Sequence, residues 1–239
     1  MSVSIVIPAY NEGKRMSKTL EEYLAFFKDT KVEFIIVPNN CTDDTVELAK
    51  GFIERFPGQV RVHEIPGYSG KGGAVIEGFR LSQGDLVGFV DADGSTSPQE
   101  FDKLLTSLGS NDAAILSRWK KGSKIVGGNA IREIVSLGFI VCVKILFRMP
   151  IVDTQCGAKV FKREAIFSII DRVKIHDMAF DVELLWKLFQ KGHPIIEIPS
   201  VWIDNSSDSA ALSSPLRLIK NAWAMFRSIL NLRFEKSYA

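Results

Sequence analysis

The stretch Leu86-Val87-Gly88-Phe89-Val90-Asp91-Ala92-Asp93-Gly94 joins five apolar residues to a pair of aspartates. The apolar run predicts a buried strand, so both carboxylates follow at its carboxyl end. Carboxylate oxygens are the ligands that Mg2+ and Mn2+ prefer, and an ion held by them can bridge to a diphosphate. Open α/β sheets bind nucleotides at this same edge. The stretch therefore predicts an α/β fold, with Asp91 and Asp93 as metal ligands around Ala92 in a nucleotide site.

Strand-like and helix-like segments alternate around this stretch. The predicted strands are Val3–Ile7, Glu33–Val37, Val60–Glu64, Leu86–Val90 and Ala113–Ser117. The predicted helices are Arg15–Lys28, Asp43–Phe56, Gly72–Ser82 and a segment that a capping box opens at Ser97 and that ends near Leu108. Alternation at this spacing produces right-handed βαβ units. We therefore predict a Rossmann-like, mostly parallel sheet.

The second half of the chain changes character. Its predicted elements are the strands Ala158–Phe161 and Ile195–Ile198 and the helices Arg163–Ile170 and Asp181–Lys191. Ile134–Phe147 is largely apolar but too short to cross a bilayer, so it predicts a buried or interfacial helix. Pro215–Phe234 predicts a helix whose apolar stripe is formed by Leu216, Ile219, Trp223, Phe226, Leu230 and Phe234. Such a helix either packs on its own domain or lies on a membrane surface.

Composition excludes several classes of protein. The chain has 239 residues, of which 46% are hydrophobic and 24% charged, as in one large globular domain. A net charge of +2 argues against a nucleic-acid partner. Cys41, Cys142 and Cys156 lack the spacing of a metal site, which predicts reduced thiols in a cytosolic protein. The amino terminus lacks the basic region and long apolar run of a signal peptide.

Three more loops are expected at the sheet edge that carries the aspartates. They are Pro8-Ala9-Tyr10-Asn11-Glu12, Pro38-Asn39-Asn40-Cys41-Thr42-Asp43 and Gly70-Lys71-Gly72-Gly73. The glycine-rich loop offers free backbone N–H groups and a cation at a helix start, which suits an anion. We expect the base and ribose to lie against the first two loops and the diphosphate near the metal. The predicted nucleotide-binding residues are Pro8, Tyr10, Glu12, Asn39, Asp43, Lys71, Asp91 and Ala92.

Two later segments complete an ordered set of motifs. They are Asp153-Thr154-Gln155-Cys156-Gly157-Ala158-Lys159-Val160-Phe161 and Phe180-Asp181-Val182-Glu183. The set resembles the family 2 inverting glycosyltransferases, and within them the dolichyl-phosphate glucose and mannose synthases, with the later segments closest to the glucosyl branch. The resemblance covers nearly the whole chain. It implies a fold of the glycosyltransferase A type with interfacial helices, formed as a single continuous domain. Residues 1–117 would be its nucleotide-sugar-binding subdomain, and residues 118–239 its acceptor-binding subdomain with an amphipathic C-terminal helix.

The resemblance also implies an acceptor site. Arg118 and Arg132 resemble the arginine pair that holds the lipid phosphate in dolichyl-phosphate mannose synthases, and guanidinium groups bind phosphate bidentately. A phosphate monoester is largely dianionic at neutral pH, so it can attack the anomeric carbon without a dedicated base. By resemblance, Asp153 and Gln155 lie near the donor sugar or the reacting phosphate. The predicted catalytic set is Asp91, Asp93, Arg118, Arg132, Asp153 and Gln155.

The chain departs from the family pattern at two places. Pro38 and Asn39 stand where the family usually has two aspartates, the second of which typically contacts the base. An amide offers one acceptor beside one donor, which complements uracil, so Asn39 favours UDP over GDP. Trp202 and Ser209 resemble a late tryptophan–serine segment that closes over the donor, but Ala210 replaces the lysine that often follows the serine.

The main interpretation is a metal-dependent, inverting transfer of a hexosyl group from a UDP-sugar to dolichyl or polyprenyl phosphate. Glucose is preferred, with N-acetylglucosamine and mannose as alternatives. Such an enzyme meets its acceptor at a bilayer, so we expect peripheral association with the cytoplasmic face of a membrane, and self-association through the same surfaces. The alternatives are GDP-mannose-dependent mannosyl transfer, transfer to a saccharide hydroxyl, and a catalytically silent sugar-nucleotide-binding module. The sequence leaves the roles of Asp181 and Glu183 open.

Overall fold

Strands and helices alternate through the residues that the computed structural model describes, which are 1–128, 130–205 and 215–234. The strands are β1 (Val3–Ala9), β2 (Val32–Pro38), β3 (Val60–Val62), β4 (Leu86–Val90), β5 (Ala113–Ser117), β6 (Lys124–Val126), β7 (Ala158–Lys162), β8 (Ile195–Pro199) and β9 (Val201–Ile203). The helices are α1 (Gly13–Phe26), α2 (Thr45–Arg55), α3 (Gly70–Leu81), α4 (Pro98–Ser107), α5 (Ala130–Phe147), α6 (Arg163–Phe167), α7 (Phe180–Gln190) and α8 (Pro215–Phe234).

The central sheet has seven strands in the order β3-β2-β1-β4-β7-β5-β8. β1 to β4 are mutually parallel, β5 is parallel to β8, and β7 runs antiparallel between β4 and β5. The prediction of a mostly parallel α/β sheet is therefore confirmed. Because β1, β2 and β4 run in one direction, the loops that follow them leave from one edge.

Helices cover both faces of the sheet, which explains the nearly continuous apolar strands. On one face, α1, α2 and α4 supply buried side chains such as Leu20, Phe52 and Leu104. On the other face, α3, α5, α7 and α8 pack around Phe79 and its buried neighbours. Gly78 permits α3 to approach β1 closely, since a Cβ there would lie 2.3 Å from Cγ1 of Val6.

Most predicted elements are present, with ends displaced by a few residues. The capping box at Ser97 is confirmed, because its Oγ accepts a hydrogen bond from the N–H of Glu100 at 3.3 Å. Helix α3 begins at Gly70 rather than Gly72. The parallel pair β6 and β9 was not predicted, since three-residue strands carry too few positions for an alternating pattern.

The last helix packs on α5 and α7, and Phe226 of the predicted stripe is partly buried against the core. Its buried side chains are Ile229 and Leu232, whereas Trp223 and Phe234 are 65% and 72% exposed. Packing on the domain is therefore not found for these two aromatics, because the neighbouring helices cover a face rotated toward Ile229. The alternative of a surface-facing stripe stays a prediction for them. The side chains of residues 215–219 lie outside the described part. Within the described residues, no helix is both long and apolar enough to cross a membrane.

Candidate active site

The loops after β1 and β2 are joined by hydrogen bonds. The N–H of Asn39 donates to the carbonyl of Ala9 at 2.9 Å. Asp43 accepts from the N–H of Thr45 at 3.1 Å and from the N–H of Gly13 at 3.4 Å. Burial works to raise the pKa of Asp43, but a hydrogen bond from the hydroxyl of Thr45, together with these N–H groups, outweighs it and lowers the pKa. Asp43 therefore ties the loops together at the starts of α1 and α2.

Two exposed aromatic rings stand beside these loops. The ring centroids of Tyr10 and Tyr68 are 5.9 Å apart, with the planes 79° from parallel. Pro8 precedes Tyr10 at the carboxyl end of β1. Aromatic faces of this kind stack on nucleobases with little regard to their identity. Tyr10 was predicted as a site residue, whereas Tyr68 was missed because no motif surrounds it.

Glu12 forms an ion pair at the rim of the same edge. The Nε of Arg15 donates to Oε2 of Glu12 at 2.6 Å, and Nη1 of Arg15 donates to the carbonyl of Asn205 at 3.1 Å. Burial raises the pKa of Glu12 in spite of the arginine. The predicted site residue Glu12 thus orients Arg15, which links the first loop to the segment after β9.

Asp91 and Asp93 follow β4 as predicted. The N–H of Asp91 donates to the carbonyl of Gly157 at 3.0 Å, and a Cβ at Gly157 would lie only 2.0 Å from Oδ2 of Asp91. Oδ1 of Asp93 accepts from the N–H of Ser95 at 2.9 Å. Burial, reinforced by the like charge of Asp91, raises the pKa of Asp93. Two crowded carboxylates of this kind favour a bound cation.

The residues present fit a divalent ion that shares its coordination with a substrate. The ammonium of Lys71 already stands in for a cation, with Nζ 2.6 Å from Oδ1 of Asp91. Within the described residues, no cluster of three or more His, Cys, Asp or Glu side chains could enclose a metal by itself. Mg2+ commonly binds through one or two carboxylates and completes its shell with water and phosphate oxygens. Asp91 and Asp93 match that donor set.

The glycine-rich loop contributes its lysine rather than free backbone donors. The N–H groups of Gly72 and Gly73 both donate to the carbonyl of His176, at 2.8 and 3.4 Å. The expectation that these N–H groups are free for an anion is therefore wrong. Burial works to lower the pKa of Lys71, but Asp91 and Asp181 outweigh it and raise the pKa. Lys71 is thus a stable cation beside the aspartate pair.

Asn39 does not face the site. Its side chain is buried, Nδ2 donates to the carbonyl of Gly70 at 3.0 Å, and Oδ1 accepts from the N–H of Ser69 at 2.9 Å. Both halves of the amide are thereby used within the protein. The structure contradicts the base-reading role of Asn39, so this residue gives no ground for choosing UDP over GDP. The residue instead fastens the turn that places Lys71.

Arg118 and Asp153 form a bidentate ion pair at the carboxyl end of β5. Nε of Arg118 donates to Oδ2 of Asp153 at 2.8 Å, and Nη2 donates to Oδ1 at 3.0 Å. The N–H groups of Arg118 and Gln155 also donate to this carboxylate, at 2.9 and 3.0 Å. Burial works to raise the pKa of Asp153, but Arg118 outweighs it and lowers the pKa. Asp153 is therefore a fully bonded anchor for Arg118, not a group exposed to the sugar.

The arginine is held from its other side by an aromatic ring. Its guanidinium lies 5.4 Å from the centroid of Trp202, one of the predicted donor-site residues. Asp153 uses Nε and Nη2, so Nη1 lies outside that pair. Arg132 lies in the first turn of α5, although its side chain is outside the described part, and Ser209 lies outside the described residues altogether. Gln155 carries a buried Nε2 for which the described residues offer no hydrogen-bond partner.

Comparison with known proteins gives the family of the chain. The sequence profile of the Glycosyl transferase family 2 matches residues 4–167. The chain belongs to this family. Among its relatives are the dolichyl-phosphate beta-glucosyltransferases of Dictyostelium discoideum, 31% identical over 98% of this chain and 77% of the relative, and of Saccharomyces cerevisiae, 31% identical over 93% and 75%. The Homo sapiens protein of that name is 31% identical over 84% of this chain and 67% of its own.

Solved glycosyltransferases share the fold. Glucosyl-3-phosphoglycerate synthase from Mycobacterium tuberculosis, in complex with Mn2+, UDP and glucosyl-3-phosphoglycerate, superposes with a TM-score of 0.70. It is 21% identical, over 97% of this chain and 79% of that one. Mannosyltransferase PcManGT from Pyrobaculum calidifontis, in complex with GDP-Man and Mn2+, gives 0.64 at 19% identity, over 96% and 64%. The predicted glycosyltransferase A fold and the family 2 resemblance are both confirmed.

Within this family 2 glycosyltransferase, the two acidic residues of uncertain role face inward. Oδ1 of Asp181 pairs with Nζ of Lys159 at 2.6 Å, and that ammonium also donates to the carbonyl of Cys156 at 2.6 Å. Asp181 thereby fixes the turn whose Gly157 lies against Asp91. Oε2 of Glu183 accepts from the N–H groups of residues 174 and 175, at 2.9 and 2.6 Å. Neither carboxylate is placed to bind a ligand.

Lys159 adjoins the candidate site, and no sequence motif predicted its role. It is fully buried within the apolar strand β7. A lysine is almost never fully buried without an acidic partner. A lysine between Ala158 and Val160 was the signal that could have predicted a buried ion pair with Asp181.

Proposed function

We propose that this glycosyltransferase transfers glucose from UDP-glucose to dolichyl phosphate or a related polyprenyl phosphate, with inversion at the anomeric carbon. The observation that carries the proposal is the short segment from Asp153 to Gly157. Its first residue holds the guanidinium of Arg118, and its last lies against the carboxylate of Asp91. One five-residue segment thereby joins a cation-binding aspartate to an arginine suited to a phosphate. The beta-glucosyltransferase relatives support the choice of sugar, stereochemistry and acceptor.

The state of the carboxylates favours a phosphate acceptor over a hydroxyl. Transfer to a saccharide hydroxyl requires a general base that is free to accept a proton. Asp153 has a lowered pKa and four hydrogen bonds, and Glu12 is paired with Arg15. Asp153 is therefore a poor base. Burial raises the pKa of Glu12, but the guanidinium of Arg15 holds both oxygens of that carboxylate. A phosphate monoester needs none, because it is already largely dianionic at neutral pH.

Each group then has a defined task. Asp91 and Asp93 would hold Mg2+ or Mn2+, and the ion would supply positive charge to stabilise a departing diphosphate. Lys71 adds a positive charge to the same oxygens, and Tyr10 and Tyr68 offer aromatic faces to the uracil. Arg118 orients the acceptor phosphate through the guanidinium edge that Asp153 leaves outside their pair. In this scheme residues 1–117 bind the nucleotide sugar and residues 118–239 bind the acceptor.

The test is a transfer assay with a matched pair of arginine variants. UDP-glucose, UDP-N-acetylglucosamine and GDP-mannose, each radiolabelled, are incubated with a short polyprenyl phosphate and Mn2+ or Mg2+. We expect label in the organic phase from UDP-glucose. Arg118→Lys keeps the charge but loses the planar fork, so the KM for the lipid phosphate should rise about tenfold or more. Arg55→Gln, which removes a surface arginine, should change nothing. Transfer from GDP-mannose, or to a saccharide hydroxyl alone, would contradict the proposal.

We further propose that one face of the enzyme lies on the cytoplasmic surface of a membrane. Helix α5 exposes an apolar stripe along its length, in which Ile134 and Ile145 are 70% and 69% exposed. This membrane face is formed by Ile131, Ile134, Leu137, Val141 and Ile145 of α5. Exposed apolar stripes of this extent mark contact surfaces. The stripe begins in the first turn of α5, and Glu133 of that turn lines a small cavity with Arg118 and Trp202. A lipid chain leaving a phosphate at Arg118 would therefore pass along this face toward the bilayer.

Cations border the far end of the membrane face. Arg148 and Arg233 line a cavity of about 510 Å³ with Ile145, Trp186 and Phe234. Arginines beside exposed apolar side chains suit anionic headgroups. Ile134→Ser with Ile145→Ser should weaken cosedimentation with anionic vesicles about tenfold, while Ile53→Ser on α2 should not. If the wild-type protein ignores vesicles and forms a dimer that the double variant abolishes, the face binds a second copy and the membrane proposal fails.

A further inference from the structure

We propose that Lys71 is a displaceable counter-ion for Asp91, which occupies the cation site until a nucleoside diphosphate draws the ammonium away. The inference rests on the proposed function of Asp91 and Asp93, and it concerns the state of the site before substrate arrives. It predicts that divalent cation and nucleotide bind cooperatively, because each removes an obstacle to the other.

The two oxygens of Asp91 have different surroundings. Oδ2 lies against the backbone at Gly157, so closely that a Cβ there would be 2.0 Å away. Oδ1 is held by Nζ of Lys71 at 2.6 Å. A cation that reaches the pair from the open edge must therefore compete with the ammonium for Oδ1. Any cation bound there would also be repelled by the lysine charge.

The ammonium of Lys71 can move away from the carboxylate of Asp91 and still remain within the site. Its Nζ lies 5.5 Å from the ring centroid of Phe89 and 6.0 Å from that of Phe180, both of which attract a cation. The negative charge of Asp181 also favours the ammonium at this place. A lysine side chain is flexible and carries three rotatable donors. The oxygens of a diphosphate beside Asp91 would offer the ammonium a new partner over a small movement.

The backbone around Lys71, in contrast, is fixed. Gly70 has φ +69°, and a Cβ there would lie 2.2 Å from the carbonyl of His176. Asn39 binds the same turn through both halves of its amide. The movement that frees Asp91 is therefore confined to the side chain of Lys71 and requires no change in the backbone.

Mn2+ binding in the absence of nucleotide separates this idea from a simple catalytic role. We expect Lys71→Met to bind Mn2+ alone about fivefold or more tightly than the wild-type protein, measured by the electron paramagnetic resonance signal of free Mn2+. Adding UDP should tighten Mn2+ binding by the wild-type protein and do so much less in the variant, because the obstacle is already gone. Lys71→Arg, which keeps a cation beside Asp91, should resemble the wild type.

Two controls make the outcome decisive. Lys50→Met removes a surface lysine of equal charge and should leave Mn2+ affinity unchanged, and thermal melting confirms that each variant is folded. Equal or weaker Mn2+ binding by folded Lys71→Met, or no measurable binding by it, would overturn the proposal. The assay contains neither sugar nor lipid, so a failure of glucosyl transfer to polyprenyl phosphate would leave its result intact.

Discussion

Asp91 and Asp153 both lie at the edge of the sheet where the parallel strands end, yet the two carboxylates have very different hydrogen-bond partners. Among the described residues, the charged partner of the Asp91 carboxylate is the ammonium of Lys71, and the Asp91 side chain is partly exposed at the open edge. Asp153 is fully buried, and four hydrogen bonds from Arg118 and Gln155 occupy its oxygens. One carboxylate is available to a ligand and the other builds the site.

The difference shows that the presence of an aspartate in a motif does not predict whether its carboxylate binds a ligand or stabilises the site. What distinguishes the two is the number and mobility of the donors around each carboxylate. A carboxylate held by a single flexible lysine can exchange that partner for a metal ion. A carboxylate held by a guanidinium fork and two backbone N–H groups cannot do so without unfolding its surroundings.

The largest effect is expected at the exchangeable carboxylate. Asp91→Asn replaces a metal ligand by a neutral amide, so kcat for glucosyl transfer should fall about 10³-fold or more. The unfolding free energy should change little, because Lys71 retains Asp181 as a counter-charge. Radiolabel transfer and thermal melting measure the two quantities. Asp29→Asn, which changes an exposed residue in the turn after α1, is the control. A folded Asp91→Asn with wild-type turnover would contradict the proposed role of Asp91 as a metal ligand.

The reverse pattern is expected at the anchoring carboxylate. Asp153→Asn leaves the buried guanidinium of Arg118 without its counter-charge, which should reduce the unfolding free energy by about 3–5 kcal/mol. Activity should fall because Arg118 is released, and not because a reacting group is lost. Urea denaturation measures the loss. Asp112→Asn, which removes a partly exposed partner of Lys162 and His193, should cost about 1 kcal/mol or less.

Acid should reduce the unfolding free energy of the wild-type protein more than that of Asp153→Asn. The pKa of Asp153 is lower in the folded protein than in the unfolded chain, so its stabilisation is present at neutral pH and is lost as pH falls through the ordinary carboxyl range toward the folded pKa. The wild-type protein should therefore lose unfolding free energy more steeply than Asp153→Asn in acid. Urea denaturation between about pH 6 and 3.5 tests this, and parallel slopes would exclude Asp153 as the source.

Much of the fold and of the donor edge follows from local patterns. Strand β4 could be predicted because a five-residue apolar run between two helical patterns is typical of a buried strand. The position of its aspartates could be predicted because the loops after parallel strands lie at one edge of the sheet. The roles of Asn39 and Asp153 could not be predicted from such local patterns. The partners of Asn39 lie thirty residues along the chain, in the turn before α3, and no periodic pattern encodes such a contact. Lys159 could have been recognised, since a lysine inside an apolar strand demands an acidic partner.

The smallest effect is expected at Asn39, where sequence and structure disagree. Asn39→Ala leaves the N–H of Ser69 and the carbonyl of Gly70 unpaired, which should reduce the unfolding free energy by about 1–3 kcal/mol. The ratio of UDP to GDP affinity, measured by calorimetry, should stay unchanged, because the amide does not face the nucleotide. Asn40→Gly replaces the neighbouring exposed residue at φ +51° without strain and is the control. A shifted affinity ratio with unchanged stability would mean that Asn39 turns outward when nucleotide binds, and the turn before α3 would then be the mobile element in place of the Lys71 side chain.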